Sequence, residues 1–268
     1  MGDVPDDTTV TTTITLEGAV NARDLAGLPL ADGARVAPRV LLRSDNLQDL
    51  TPQDIRVLVE DHALRTVIDL RTEFEIASEG PGPLAEDPRV RIQHHSLYPA
   101  TGGGTDLDLA TIKPWGDNRG AELPGETPTV RAYLGYLERR PDSIVAALRA
   151  IAETDGATLI HCAAGKDRTG TVVALALAAA GAPREAIAAD YEATTHNIDA
   201  IVRRLAATKT YAAEMDVDDV ARHSPPPGTM ERVLELLDRD HGGAEAWLLS
   251  AGLTAEELAR LRARLAGS

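Results

Sequence analysis

Only one of the 268 residues is a cysteine, Cys162, so no disulfide can form within the chain. A lone thiol fits a reducing compartment. Lysine is nearly absent as well: Lys113, Lys166 and Lys209 stand alone among 27 Lys and Arg residues, against 42 Asp and Glu. The net charge of −15 argues against general nucleic-acid binding, which works by neutralising phosphates. It also opposes stable association with anionic membranes. A small positive site inside an acidic body remains open. Aromatic residues are 3% of the chain, which leaves few rings to stack on an aromatic ligand. No apolar run reaches the ~18 residues of a membrane span; the longest, Val172 to Ala180, is alanine-rich. The first residues are acidic and threonine-rich, unlike a secretory signal. With the lone thiol, this sets the expectation of a cytoplasmic location.

What is present is an ordinary globular composition, 43% hydrophobic and 26% charged. Thr9 to Leu16 reads as a threonine-rich edge strand. Short strands are expected at Val40–Leu42, Arg65–Leu70, Val90–Leu97 and Ala157–Ile160. Thr51 as N-cap, with Pro52 behind it, starts a helix that runs to about His62. A short helix follows Arg71-Thr72 and breaks at Gly80-Pro81-Gly82-Pro83. Helices are expected at about 130–139, 142–153, 169–180, 183–194, 196–209, 228–240, 243–250 and 254–266. Tyr98 to Pro128 is a long Gly- and Pro-rich stretch of the kind that is functional or disordered. Strands alternate with helices up to residue 160 and helices dominate afterwards. The expected fold class is therefore α/β, a mostly parallel central sheet flanked by helices. We take residues 1–268 as a single domain. Ligands bind such sheets at the C-terminal edge of the strands.

That edge receives "LIHCAAGKDRTG", Leu159 to Gly170. A buried strand, a tight loop and a helix aim the free N–H groups and positive end of the helix dipole at the loop, which suits an anion. Ala163, Ala164 and Gly165 have little or no side chain, so backbone amides can crowd around one tetrahedral anion. Arg168 adds a planar fork for two phosphate oxygens. The helix N-terminus, Lys166 and Arg168 all favour a thiolate at Cys162, placed beneath a phosphate for in-line attack on phosphorus. Displacement in two steps through a phosphocysteine then needs a proton for the leaving group. Asp167 is the nearest carboxylic acid in sequence, and Thr169 is expected to hydrogen-bond the sulfur. His161 is expected to organise the loop from behind. Asp69, at the end of a buried strand, is placed with Ala163, Ala164, Gly165, Lys166 and Thr169 among the substrate-binding residues, orienting Lys166 or Arg168. A structural strand-end carboxylate is its alternative. No metal and no cofactor are called for.

"HCAAGKDRTG" has the His-Cys-x5-Arg-Ser/Thr pattern of cysteine-dependent protein tyrosine phosphatases. Its tighter form, Cys-x-x-Gly-Lys-Asp-Arg-Thr-Gly, resembles the bacterial tyrosine phosphatase family found in mycobacteria. "NARDLAG", "LLRSDNL", "IDLRTEFE", "ADYEATTHN" and "WLLSAGLTAEELARLRARL" follow that family in order along nearly the whole chain. The resemblance implies a cysteine-phosphatase fold, metal-free phosphomonoester hydrolysis, and tolerance for phosphotyrosine, phosphoserine/threonine and phosphoinositides. It also implies Asp167 as general acid and a helical lid over the loop, at about residues 197–240. Ala22 and Ala163 stand where the family commonly has larger residues, and Tyr98–Pro128 has no match; these departures bear on substrate preference.

The expected substrate is a phosphorylated protein or a phosphoinositide. The alternative is a small phosphorylated metabolite, favoured by the scarcity of aromatic rings. A catalytically silent phosphoprotein-binding module is opposed by the presence of Cys162, Asp167 and Arg168 together. Asp167 has a structural alternative, as cap of a helix starting at Thr169. Asp117, in "KPWGDNRG", is the rival acid because it resembles a scrambled Trp-Pro-Asp. Arg23, Arg43 and Arg71 are expected to pair with nearby carboxylates such as Asp24, Asp45 and Glu75. His94 and His95 are adjacent on a strand and so face opposite sides, which makes a shared metal site unsuitable.

Overall fold

A computed structural model describes residues 11–99, 126–213 and 215–268. Six strands, β1 (Thr12–Thr13), β2 (Arg23–Asp24), β3 (Leu41–Ser44), β4 (Leu64–Asp69), β5 (Arg91–His94) and β6 (Ala157–His161), form one sheet in the order β1-β2-β3-β6-β4-β5. β3, β6, β4 and β5 run parallel, and the two-residue β1 and β2 add an antiparallel edge. The expected mostly parallel sheet is present, with an edge strand shorter than the threonine run suggests. In register, Ser44 and Asp69 both lie beside His161. The strands therefore end together, and "RSDN", "DLRTE" and "HCAAGKDRTG" emerge side by side at one edge.

Alternation along the strands divides the core. Leu41, Ile68 and Ile160 face the larger hydrophobic cluster; Leu42, Val67 and Leu159 face the smaller one. The larger side is covered by α3 (Pro128–Arg139), α4 (Pro141–Glu153), α5 (Asp167–Ala179), α6 (Arg184–Glu192), α8 (Thr229–His241), α9 (Ala244–Ser250) and α10 (Ala255–Ala266). The smaller side is covered by the N-terminal segment around Ile14 and by the turn after α1 (Pro52–Arg56), where Val57–Asp61 widen into a π-helical turn. Local chemistry starts these helices where expected. Thr51 with Asp54 and Thr72 with Glu75 make reciprocal capping boxes, the second at the head of α2 (Glu73–Glu79). Central α5 is apolar on almost every side because it is buried on almost every side.

α7 (Ile198–Ala206) and the segment to His223 lie apart from these layers and form a small cluster with the loop, through Ala163, Ile201, Leu205 and Tyr211. The stretch marked out as a lid, 197–240, is thus divided. Its first part lies at the loop, whereas α8 packs on α6, α3 and α9 in the body of the molecule. No helix among the described residues is long and apolar enough to cross a membrane.

Candidate active site

The loop after β6 is shaped from outside. The carbonyl of Ala163 accepts from the Asn46 amide (3.0 Å), that of Ala164 from Asn21 Nδ2 (3.2 Å), and that of Gly165 from Arg43 Nη2 (2.7 Å). In a trans peptide the N–H points opposite to the preceding C=O. Pinning three successive carbonyls outward therefore turns the amides of Ala164, Gly165 and Lys166 toward the space the loop encloses. Gly165 is required here: its φ is +65°, and a Cβ would stand 2.3 Å from the Ser44 carbonyl oxygen. Cys162 lies beneath, 2% exposed, at the end of β6.

The clamp rests on Asp190, from α6. Its buried carboxylate accepts from Arg23 Nε at 2.8 Å and makes a short contact with Arg43 Nη1. Burial pushes Asp190 up, but Arg23 and Arg43 outweigh it and hold the carboxyl below its usual range. Burial and neighbouring Arg43 lower Arg23 to about 10. The pairings expected from sequence proximity are corrected throughout. Arg23 and Arg43 share Asp190 rather than using Asp24 and Asp45, and Arg71 binds Asp69 (2.6 Å) rather than Glu75. Asp45 instead accepts the amides of Val20 and Asn21 (3.0 and 2.9 Å), fixing the segment that carries Asn21. Asp190→Asn leaves two buried guanidinium groups without a full counter-charge. It should cost ~3–5 kcal/mol, read as a lower denaturant midpoint at unchanged slope; a loss below ~1 kcal/mol would show that the clamp does not depend on Asp190.

Arg168 is buried and held by Glu75, whose two oxygens accept from Nη1 and Nη2 at 2.7 and 3.0 Å. Glu75 also closes the α2 capping box, and the Tyr211 hydroxyl donates to it at 2.6 Å. Burial pushes Glu75 up, yet Arg168 beside it dominates and keeps it ionised. The sequence reading missed Glu75 as the partner of Arg168; the Thr-x-x-Glu box was the available signal.

Asp69 does not line the pocket, and it orients neither Lys166 nor Arg168. It is spent on Arg71 and lies 3.6 Å from His161 Nε2, a support beneath the loop rather than a substrate contact. Burial lowers His161 to about 4 against the pull of Asp69, so the ring is neutral and its Nδ1 donates to the Cys162 carbonyl (3.2 Å). Thr169, expected to help the sulfur leave in the second step, has its Oγ1 buried and without a hydrogen-bond partner.

Asp167 is on the pocket wall with its side chain about one-third exposed (35%). Helix α5 begins at Asp167 itself, with Lys166 in the cap position and no side-chain cap, so Asp167 is not the cap of a helix starting at Thr169. Its Oδ1 accepts from the Tyr133 hydroxyl at 2.5 Å. Lys166 Nζ is 3.6 Å from Oδ2 and donates to the His223 carbonyl at 2.7 Å. The pocket encloses about 280 Å³. Ala163, Ala164, Lys166, Asp167 and Arg168 form its polar end, and Ile198, Ile201, Val202 and Leu205 of α7 form an apolar wall. Of the chain's five tyrosines, Tyr98, Tyr133, Tyr136 and Tyr211 line it, and Tyr191 is hydrogen-bonded behind Tyr133 at 2.8 Å. Asp117 lies outside the described residues. Among those described, no three His, Cys, Asp or Glu side chains gather in a cluster able to hold a metal ion.

The mostly parallel sheet thus ends in a Cys-x5-Arg loop whose carbonyls are pinned outward. The sequence model of the tyrosine phosphatase family matches residues 14–267, and the chain belongs to that family of phosphoric monoester hydrolases. It is 29% identical over 256 residues to a tyrosine-protein phosphatase of Nostoc commune, covering 88% of this chain and 78% of the relative. It is 27% identical over 290 residues to the triple specificity protein phosphatase PtpB of Mycobacterium tuberculosis, covering 94% and 98%. A putative tyrosine-protein phosphatase of Cupriavidus necator is 31% identical over 177 residues, 64% of this chain and 59% of the relative.

Proposed function

We propose that this enzyme hydrolyses phosphoprotein esters through a phosphocysteine on Cys162, without a metal ion. The observation behind this reading is the pinned loop: three carbonyls are held outward over a buried thiol, with Arg168 and Asp167 on the rim. Cys162 Sγ attacks phosphorus, the bond to the leaving oxygen breaks, and Asp167 supplies that oxygen with its proton. Water then attacks the phosphocysteine while the Asp167 carboxylate takes a proton from it, and phosphate leaves. The unpartnered Thr169 hydroxyl is available to hydrogen-bond the departing sulfur.

Glu75 uses one N–H from each terminal nitrogen of Arg168, and Tyr211 Oη lies 3.3 Å from Nη2. The Leu70 carbonyl accepts from Nη1 at 3.3 Å; an arriving phosphate competes with these partners, so α7 and Tyr211 act as the lid and shift for substrate. The rings that looked too few for phosphotyrosine are concentrated at this one pocket, which favours an aryl phosphate over a small metabolite. The triple specificity in the name of the mycobacterial relative supports a range wider than one kind of phosphoester. Phosphoinositides remain within the reading through Lys166, provided it releases the His223 carbonyl.

A panel of phosphotyrosine, phosphoserine and phosphothreonine peptides, phosphoinositides and sugar phosphates tests this. The expected result is highest kcat/KM on phosphotyrosine peptides, with no loss in chelator. Sugar phosphates leading the panel would reverse the substrate assignment, and loss of activity in chelator would overturn the metal-free mechanism.

A further inference from the structure

Two tyrosines with no place in the loop motif stand behind Asp167. Tyr133, on α3, is 1% exposed, and its hydroxyl reaches Asp167 Oδ1 at 2.5 Å. Tyr191, on α6, is also 1% exposed, and the two hydroxyls are 2.8 Å apart. A phenol has one proton to give, and an ionised carboxylate can only accept. Tyr133 therefore donates to Asp167, and Tyr191 donates to Tyr133. The rings hold the chain in place: Tyr133 stacks on Tyr136 at 5.9 Å and meets Tyr191 edge-on at 6.1 Å. Burial, with Asp167 beside it, raises Tyr133 well above an ordinary phenol, so it remains a donor throughout the working pH range.

We infer that Tyr133, backed by Tyr191, is a positioning residue for Asp167: it occupies Oδ1 and leaves Oδ2 as the oxygen that carries the transferable proton. The inference rests on the reading of Asp167 as general acid given above. The arrangement suits both chemical steps. Oδ2, the oxygen that Tyr133 does not occupy, is the proton donor in the first, and Tyr133 keeps its hydrogen bond to Oδ1 while the carboxylate acts as base in the second. Among the described residues, the other charged groups around Asp167 are these. Lys166 Nζ lies 3.6 Å from Oδ2. Arg168 is turned to Glu75, Arg43 beyond Tyr191 is neutralised by Asp190, and His223 presents its carbonyl to Lys166.

The test is the pH dependence of kcat/KM for phenyl phosphate, whose leaving group is poor, because kcat/KM covers only the steps up to the phosphocysteine. Wild type, Tyr133→Phe, Tyr191→Phe and Asp167→Asn are compared on the same substrate. Asp167→Asn should abolish the basic limb. Tyr133→Phe removes a donor to the ionised carboxylate, so the acid form persists to higher pH. Its basic limb should move up by about one pH unit. Its maximal kcat/KM on phenyl phosphate should fall about tenfold, with little change on a nitrophenyl ester. Tyr191→Phe, which does not touch Asp167, should move the limb in the same direction by less. Equal losses on both esters with an unmoved limb in Tyr133→Phe would make the tyrosine merely structural and overturn the inference. Should Tyr133→Phe fail to fold, Tyr191→Phe decides alone: an unmoved limb overturns it and an upward shift supports it. A basic limb that survives Asp167→Asn overturns the reading of Asp167 as acid, and the inference with it, a result distinct from either failure of the tyrosine variants.

Discussion

Cys162→Ser should reduce turnover on the order of a thousandfold or more while binding of inorganic phosphate is retained. The two halves of this expectation have different physical origins. A serine hydroxyl is a far weaker nucleophile near neutral pH than a cysteine thiol. Among the described groups, the nearest histidine in sequence, His161, is spent on the Cys162 carbonyl. On the proposed reading phosphate is held by other atoms: the inward amides, set by Asn21, Arg43 and Asn46, and the Arg168 guanidinium, set by Glu75. The substitution leaves all of these in place. Calorimetric titration with phosphate, beside an aryl phosphate assay, reads both halves. Near-wild-type turnover would remove Cys162 from the chemistry; loss of phosphate binding in a folded variant would mean that the thiol, not the backbone, holds the anion.

Asp167→Asn should separate substrates by leaving group. General acids supply ~10²–10⁴ in rate, and little of that is needed when the departing oxygen is already a weak base. Rates on phenyl phosphate should therefore fall by about 10² or more and rates on a dinitrophenyl ester only slightly, so the dependence on leaving-group pKa steepens. A helix cap behaves differently: losing one costs about 1 kcal/mol of stability and affects all esters alike. The structure already disfavours the cap, because α5 starts at Asp167 and the carboxylate is bound to Tyr133. Asp117→Asn should leave the leaving-group dependence unchanged. Steepening in Asp117→Asn but not in Asp167→Asn would transfer the acid to the segment around Trp115.

The parts of this architecture that depend on near neighbours were legible in the sequence. Thr51 with Asp54 and Thr72 with Glu75 mark helix starts because a capping box closes within four residues. Buried strands read as short apolar runs, and the turn from β6 into α5 showed in the small residues Ala163, Ala164 and Gly165 between two apolar stretches. Partner choice among buried charges was not legible. Arg23 took Asp190 over adjacent Asp24, and Arg168 took Glu75, because strand register and the packing of α6 decide which side chains share a buried space. Proximity in sequence does not. Nor does a count of aromatic residues say where they gather. Tyr133 and Tyr136 share α3, but Tyr98, Tyr191 and Tyr211 come from other parts of the chain, and the five meet only in the folded chain. The stretch "ADYEATTHN" now has a physical explanation in Asp190, which clamps Arg23 and Arg43, and Tyr191, which stands behind Tyr133.

The central claim is a covalent bond between Cys162 and phosphorus. Rapid acid quenching during turnover of an activated aryl phosphate, followed by mass analysis of the peptides, tests it most directly. The account predicts one added phosphoryl group on the peptide that contains Cys162, formed in the burst of aryl alcohol release and absent from Cys162→Ser. Full turnover with no phosphoryl group on that peptide, or with phosphate attached to a different side chain, would contradict it.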